Sequence, residues 1–79
     1  MSNPIEFSLE VDAMGMNCPL PILRTKKALA DMESGQILMV KATDAGAAHD
    51  FPVFAKQTGN ELIATASEGD TLIFYLKRR

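Results

Sequence analysis

Cys18 is the only cysteine among the 79 residues, and it lies in the segment Met16-Asn17-Cys18-Pro19-Leu20-Pro21, directly before a helical pattern. A single thiol closes no intramolecular disulfide and forms no cysteine zinc site. At the N terminus of a helix, however, a thiol is stabilised as the thiolate, which is its nucleophilic form. These residues therefore indicate a cysteine that reacts and carries a group covalently.

The two prolines predict how Cys18 is held. If Cys18 is the N-cap of the helix, Pro19 occupies N1 and Pro21 occupies N3, where a missing N–H group costs nothing. The N–H groups of Leu20 and Ile22 then point towards the sulfur, and we expect the pKa of Cys18 to lie below the ordinary thiol value. The segment thus predicts an exposed thiol in a fixed pose.

Other roles for Cys18 stay open when only the residues are considered. Free cysteine is often a small buried hydrophobe, so Cys18 can be structural. A cysteine hydrolase would pair it with His49, the sole histidine, and with Asp12, Asp44 or Asp50. A metal site drawn from the same groups lacks the usual ligand spacing, so we expect neither a metal nor a cofactor. Reductase chemistry of the Cys-x-x-Cys type is excluded, because there is no second cysteine.

Hydrophobic periodicity predicts the elements that position this segment. A half-buried strand runs to Ala13, and a helical pattern begins at Pro19 and stops at Glu33-Ser34-Gly35. The apolar run Ile37-Leu38-Met39-Val40 is typical of a central strand.

A second helical pattern runs from about Ala47 to Gly59 and contains Pro52, so we expect one helix that bends at the proline. Two alternating stretches follow, with the hairpin signal Glu68-Gly69-Asp70 between them. The predicted order is β-α-β-α-β-β. It favours an α/β (α+β) two-layer sandwich, with two helices on one face of a four-stranded mixed sheet.

Composition limits the possible functions. Residues 1–79 predict a single domain, because so short a chain buries only one modest core. The net charge of −2 gives no long-range attraction to nucleic acid, and no apolar run approaches a membrane span. The first residues show no signal-peptide pattern, and there is no disulfide framework. We therefore expect a cytoplasmic monomer that binds neither membrane nor nucleic acid directly.

Basic residues occur in two groups, Arg24, Lys26 and Lys27 after Cys18 and Lys77-Arg78-Arg79 at the end of the sequence. They can form a solvated face, an RNA-binding surface, or a surface that steers acidic protein partners towards Cys18. The acidic total charge and the lack of interleaved aromatic residues disfavour RNA. We expect Arg24, Lys26 and Lys27 to bind a protein partner.

The segment from Asp12 to Pro21 resembles the signature D-x-x-G-x-x-C-P-x-P of the TusA/SirA-like sulfur-carrier proteins. The fixed positions are occupied by Asp12, Gly15, Cys18, Pro19 and Pro21. A second motif over residues 44–54 extends the resemblance to nearly the whole chain. The resemblance implies one sulfur-carrier domain with the same β-α-β-α-β-β sandwich.

It further implies that Cys18 accepts sulfane sulfur as a persulfide from a rhodanese or a cysteine desulfurase. Cys18 would then pass the sulfur to a thiol of a DsrE-like protein or another carrier, with Asp12, Gly15, Pro19 and Pro21 supporting the site. Such a protein is a sulfurtransferase-like relay rather than a multiple-turnover enzyme for small molecules. Family routes include tRNA thiolation, molybdenum cofactor assembly and sulfur oxidation. The alternative is a non-catalytic regulatory or interaction module with a structural cysteine.

Overall fold

A computed structural model describes residues 5–79, which form six elements in the predicted order. They are β1 (Leu9–Ala13), α1 (Leu20–Ala30), β2 (Ile37–Ala42), α2 (Ala47–Thr58), β3 (Glu61–Glu68) and β4 (Thr71–Lys77). The predicted order is therefore confirmed.

The four strands form one mixed sheet in the order β1-β2-β4-β3. β1 and β2 are parallel, with Val11 beside Val40, whereas β4 is antiparallel to both of its neighbours. A parallel pair needs a crossover connection, and α1 supplies it. Because β1 and β2 are parallel, the loop that leads from β1 to α1 emerges at the same end of the sheet as the loop that follows β2.

The apolar run of β2 is buried on both faces of the sheet. Leu38 and Val40 belong to the main core, which the two helices cover. Phe51 of α2 is fully buried there and stacks on Phe74 of β4, with ring centroids 4.4 Å apart. Met39 points to the opposite face, where it forms a smaller cluster with strand residues of β4. The two-layer arrangement, with both helices on one face, is confirmed.

The structure confirms a single second helix and the predicted hairpin connection, while the bend expected at Pro52 stays a prediction. A single helix, α2, runs through Pro52 and ends at Gly59, whose φ of +79° is in the left-handed region that glycine adopts readily. Gly69 and Asp70 form the tight connection between β3 and β4. Within residues 5–79, neither helix is long and apolar enough to cross a membrane.

Candidate functional site

Cys18 lies in the loop between β1 and α1, where its side chain is exposed. The interpretation of Cys18 as a small buried hydrophobe is therefore wrong. The peptide bond between Cys18 and Pro19 is cis. The thiol is presented to solvent at one end of the sheet, next to the start of α1.

The predicted start of α1 needs a correction. The helix begins at Leu20, its N-cap is Pro19, and Pro21 falls at the second helical position, so Cys18 precedes the cap. No side chain of residues 5–79 caps this helix, and the N–H of Leu20 donates to the carbonyl of Asn17 over 2.9 Å. That donor is therefore directed to Asn17 and not to the sulfur. Proline is tolerated throughout the first turn, where a missing N–H costs nothing, so the two prolines alone do not determine the register.

Asp12 and Gly15 shape the loop that carries the thiol. Oδ1 of Asp12 accepts a hydrogen bond from the N–H of Met14 over 3.1 Å, a local turn that aspartate forms readily. Gly15 has a φ of +79°, and its N–H donates to Oγ1 of Thr43 over 2.8 Å. Both motif residues thus help to hold the backbone of the loop. Their role in sulfur chemistry stays a prediction.

Thr43 joins two parts of the site, although no sequence pattern assigns it a role. It follows β2 directly, so its bond to Gly15 ties the Cys18 loop to the loop that leads into α2. No local pattern marks such a residue, because its partner lies far away in the sequence. Only the parallel pairing of β1 and β2 brings the two loops together.

Two aspartates from the second loop and helix define the electrostatics of the thiol. Asp50 lies in the first turn of α2. Hydrogen bonding to the Asp50 side chain, followed by desolvation and by the negative charges of Asp50 and Asp44, raises the pKa of the Cys18 thiol above its ordinary value. The predicted direction is therefore wrong, because the groups that act on the thiol are carboxylates and the N–H of Leu20 is directed to Asn17. His49 does not contribute to this shift, so the structure gives no support to a Cys–His pair.

The three basic residues of α1 do not form one surface. Arg24 and Lys27 are three positions apart, so they share one side of the helix. Lys26 instead lines a cleft at the C-terminal ends of both helices, together with Arg78 and Arg79. Arg78 is engaged there, since its Nε donates to the carbonyl of Leu29 near the end of α1 over 2.9 Å.

Several large apolar side chains near Cys18 in the sequence are exposed. Met14 in the loop and Leu20 and Leu23 on α1 show 46%, 49% and 52% of their surface, respectively. Met16 is partly buried against the core. Exposed leucines close in sequence to an exposed thiol offer contact area to another protein.

The profile of the protein family described as Sulfurtransferase TusA matches residues 9–78, which include all six elements and the Cys18 loop. The chain belongs to this family. The family predicted from the motif around Cys18 is therefore confirmed.

Comparisons with individual proteins of the TusA family agree with this assignment. The chain is 56% identical to the sulfur carrier protein TusA of Allochromatium vinosum, over 92% of this chain and 96% of that protein. It is 48% identical to the putative sulfur carrier protein YrkI of Bacillus subtilis, over 86% and 91% of the two chains. A SirA-like protein of Desulfitobacterium hafniense has the same fold, with a TM-score of 0.79 at 24% identity, covering 89% of this chain and 96% of that one.

Within residues 5–79, no group of three or more histidine, cysteine, aspartate or glutamate side chains is placed to hold a metal ion. The groups that the structure gives around the Cys18 loop are one exposed thiol, the carboxylates of Asp44 and Asp50, and the backbone.

Proposed function

We propose that this TusA-family chain is a sulfur relay in which Cys18 carries sulfane sulfur as a persulfide. The observation that carries the proposal is the exposure of the sole thiol on a loop held by Asp12, Gly15 and Thr43. A sulfur passed between two proteins must be reached by a thiol of each partner in turn. An exposed thiol at the edge of a small domain meets that requirement.

The transfer exchanges one sulfur–sulfur bond for another. The Cys18 thiolate attacks the outer sulfur of a donor persulfide, a bond forms to Sγ of Cys18, and the donor's own sulfur–sulfur bond breaks. The donor thiolate leaves and takes up the proton that Cys18 lost. In the second step an acceptor thiolate attacks the outer sulfur of the Cys18 persulfide, and Cys18 leaves. Neither step needs an added oxidant or reductant.

The partners that fit this chemistry are a protein with a persulfide and a protein with a free thiol. A rhodanese or a cysteine desulfurase suits the donor side, and a DsrE-like protein or another thiol carrier suits the acceptor side. Tests of tRNA thiolation and sulfur oxidation with such partners would separate the two routes. A reducing cytoplasm keeps a lone thiol free for this work, and we place a monomeric relay there.

Arg24 and Lys27 of α1, with the exposed Leu20 and Leu23, are the surface that we assign to docking. Basic side chains attract an acidic partner at a distance, and the leucines give contact area once it arrives. Lys26 belongs with Arg78 and Arg79 at the cleft, so its contribution to docking is smaller.

Intact-mass spectrometry tests the proposal. The protein is incubated with a desulfurase and cysteine, or with a rhodanese and thiosulfate, beside a Cys18→Ser variant. The wild type should gain about 32 Da, the mass of one sulfur, and lose it again with dithiothreitol. A mass gain of the same size in Cys18→Ser would overturn the assignment of the sulfur to Cys18.

A further inference from the structure

An open groove, the hairpin groove, lies beside the connection between β3 and β4. It has a volume of about 540 Å³ and is lined by Thr43, Ala45, Ala48, Asp70 and Leu72. A second hollow of about 310 Å³ shares Ala48 and Leu72 with it and extends along β3 past Ser67 and Thr65. The two hollows therefore adjoin and form one depression in the surface.

The groove exists because the helices leave this corner of the sheet uncovered. Thr65 of β3 is the cross-strand partner of Phe74 of β4, so both side chains lie on the face that carries the main core. Phe74 is buried there, whereas Thr65 is exposed. Ala48, the second residue of α2, is exposed as well, and its single methyl group leaves the space open.

The hairpin groove adjoins the loop that carries Cys18. Thr43 lines the groove, and its hydroxyl accepts the N–H of Gly15 over 2.8 Å. Gly15 precedes Cys18 by three residues, so their Cα atoms are at most about 11 Å apart. A polypeptide segment in the groove therefore lies within a few residues' reach of the thiol.

The chain segments at this end of the sheet are acidic. Strand pairing brings residues 12–21, 43–50 and 67–71 to the same end. These segments contain no lysine and no arginine, and they carry the carboxylates of Asp12, Asp44, Asp50, Glu68 and Asp70. None of these is ion-paired among residues 5–79, where the ion pair present joins Lys41 to Glu10 over 3.4 Å. The end of the molecule that presents the thiol therefore attracts positive charge.

The lining of the groove suits a long side chain with a positive end. Ala45, Ala48 and Leu72 are apolar, and Asp70 supplies a carboxylate. Lysine and arginine lay an apolar stem along such a surface while their charged group stays in water. An acidic segment would instead be repelled by the carboxylates of this end.

We propose that the hairpin groove binds a basic segment of a partner protein, with a lysine or arginine side chain in the groove and the partner's reactive cysteine a few residues away, at Cys18. This proposal rests on the sulfur-relay function proposed above. The groove differs from the surface on α1, because Arg24 and Lys27 attract an acidic partner and the groove takes a basic one. A relay exchanges sulfur with two proteins, and two surfaces of opposite charge let each partner bind at its own.

Thiol–disulfide exchange with short peptides tests the groove without sulfur loading. Cys18 is first converted to a mixed disulfide with thionitrobenzoate. A peptide thiolate then attacks Sγ of Cys18, the thionitrobenzoate thiolate leaves as a coloured anion, and the proton of the peptide thiol goes to the buffer. The peptides each hold one cysteine and differ only in a nearby pair of arginines, glutamines or glutamates. The basic peptide should react about tenfold faster than the neutral one at low salt, and the acidic peptide should be the slowest.

Substitutions in the groove separate its effect from the general charge of this end. Each rate is divided by the rate of mercaptoethanol with the same variant, which cancels effects on Cys18 itself. Asp70→Asn should slow the basic peptide about threefold at low salt, as expected for one exposed ion pair, and much less at high salt. Ala48→Leu fills the groove and should slow the basic peptide by a similar factor, part of which remains at high salt because the obstruction is steric. Ser67→Leu, which fills the adjoining hollow, repeats this test if Ala48→Leu folds poorly.

Ala30→Leu and Asp31→Asn are the matched controls. Both residues are exposed and lie at the opposite end of α1, away from the groove. Neither substitution should change the relative rate of the basic peptide. Circular dichroism establishes folding for each variant.

An unchanged relative rate in the folded groove-filling variants, or equal losses in Asp70→Asn and Asp31→Asn, would overturn the proposal. A neutral peptide that reacts with the wild type as fast as the basic one would also overturn it. If the wild type takes up no sulfur but the groove variants still slow the basic peptide, the relay function fails and the groove stands. If sulfur is taken up but the groove variants have no effect, the relay stands and the groove fails.

Discussion

The N–H of Gly15 donates to the hydroxyl of Thr43 over 2.8 Å, and this bond links the loop that carries Cys18 to the loop that carries Asp44. The two loops emerge from neighbouring parallel strands, so the bond ties the position of the Cys18 loop to that of the loop that leads into α2. The geometry of the site therefore depends on a contact that involves none of the reacting groups.

Thr43→Val should loosen this contact while keeping the shape of the side chain. The loss of one hydrogen bond should lower the free energy of unfolding by about 0.5–1.5 kcal/mol, measured by urea denaturation. The pH midpoint of iodoacetamide alkylation of Cys18 should also move down towards the ordinary thiol value, because the loop that carries the thiol is joined less firmly to the loop that carries Asp44. Thr43→Ser keeps the hydroxyl and should behave like the wild type. A midpoint that does not change in Thr43→Val would show that the carboxylates act on the thiol independently of this bond.

Gly15→Ala tests the backbone conformation of the same loop. Gly15 has positive φ and open space where an added Cβ would lie, so alanine costs conformational energy without a clash, about 1–2 kcal/mol. Gly35→Ala is the control, because Gly35 also has positive φ with open space but lies between α1 and β2. Both variants should lose similar stability, and only Gly15→Ala should slow sulfur loading. Equal slowing in both would mean that general stability controls the loading rate.

The elements can be predicted from the sequence because their signals are local. The helical stripe of α1, the apolar run of β2 and the Gly69-Asp70 connection each depend on neighbouring residues, and the structure confirms them. The effect of Asp50 on the Cys18 thiol cannot be found in this way, since it arises between two parts of the chain that only the fold brings together. Sequence patterns suggest Asp50 as a possible third member of a Cys–His site and as part of the motif over residues 44–54. Its effect reverses the predicted direction of the thiol pKa.

Charge reversal on α1 tests the proposed docking surface. The double change Arg24→Glu and Lys27→Glu should slow sulfur transfer from a protein donor by about tenfold at low salt, because long-range steering is lost. Loading by polysulfide, a small molecule, should keep its rate. The difference should shrink at high salt, where exposed charges are screened. Lys26→Glu is the control on the same helix and should have a smaller effect, since Lys26 lines the cleft with Arg78 and Arg79.

Equal losses with polysulfide and with the protein donor would assign the effect to the fold or to Cys18 itself. If Lys26→Glu and the double change slow sulfur transfer from the protein donor equally, Lys26 belongs to the docking surface, as its position in the sequence predicts.

Phe51→Ala tests the packing that places Asp50. Phe51 is fully buried and stacks on Phe74, so its truncation should cost about 3–5 kcal/mol. A domain of this size has a total stability of only about 5–15 kcal/mol, so the variant should be close to unfolding at room temperature. Thermal denaturation followed by circular dichroism measures the loss. A loss below about 1 kcal/mol would contradict the central place of this ring in the core.

The central claim is that sulfur passes through Cys18, and a single-turnover transfer between two proteins tests it most directly. The carrier is loaded, freed of donor, and mixed with an excess of an acceptor protein that has a free thiol. Mass spectrometry then follows both chains with time. The account predicts that a mass of about 32 Da leaves the carrier and appears on the acceptor at the same rate, and that Cys18→Ser transfers none. Sulfur that reaches the acceptor equally well with Cys18→Ser, or that stays on the carrier in the presence of every acceptor thiol, would contradict the account.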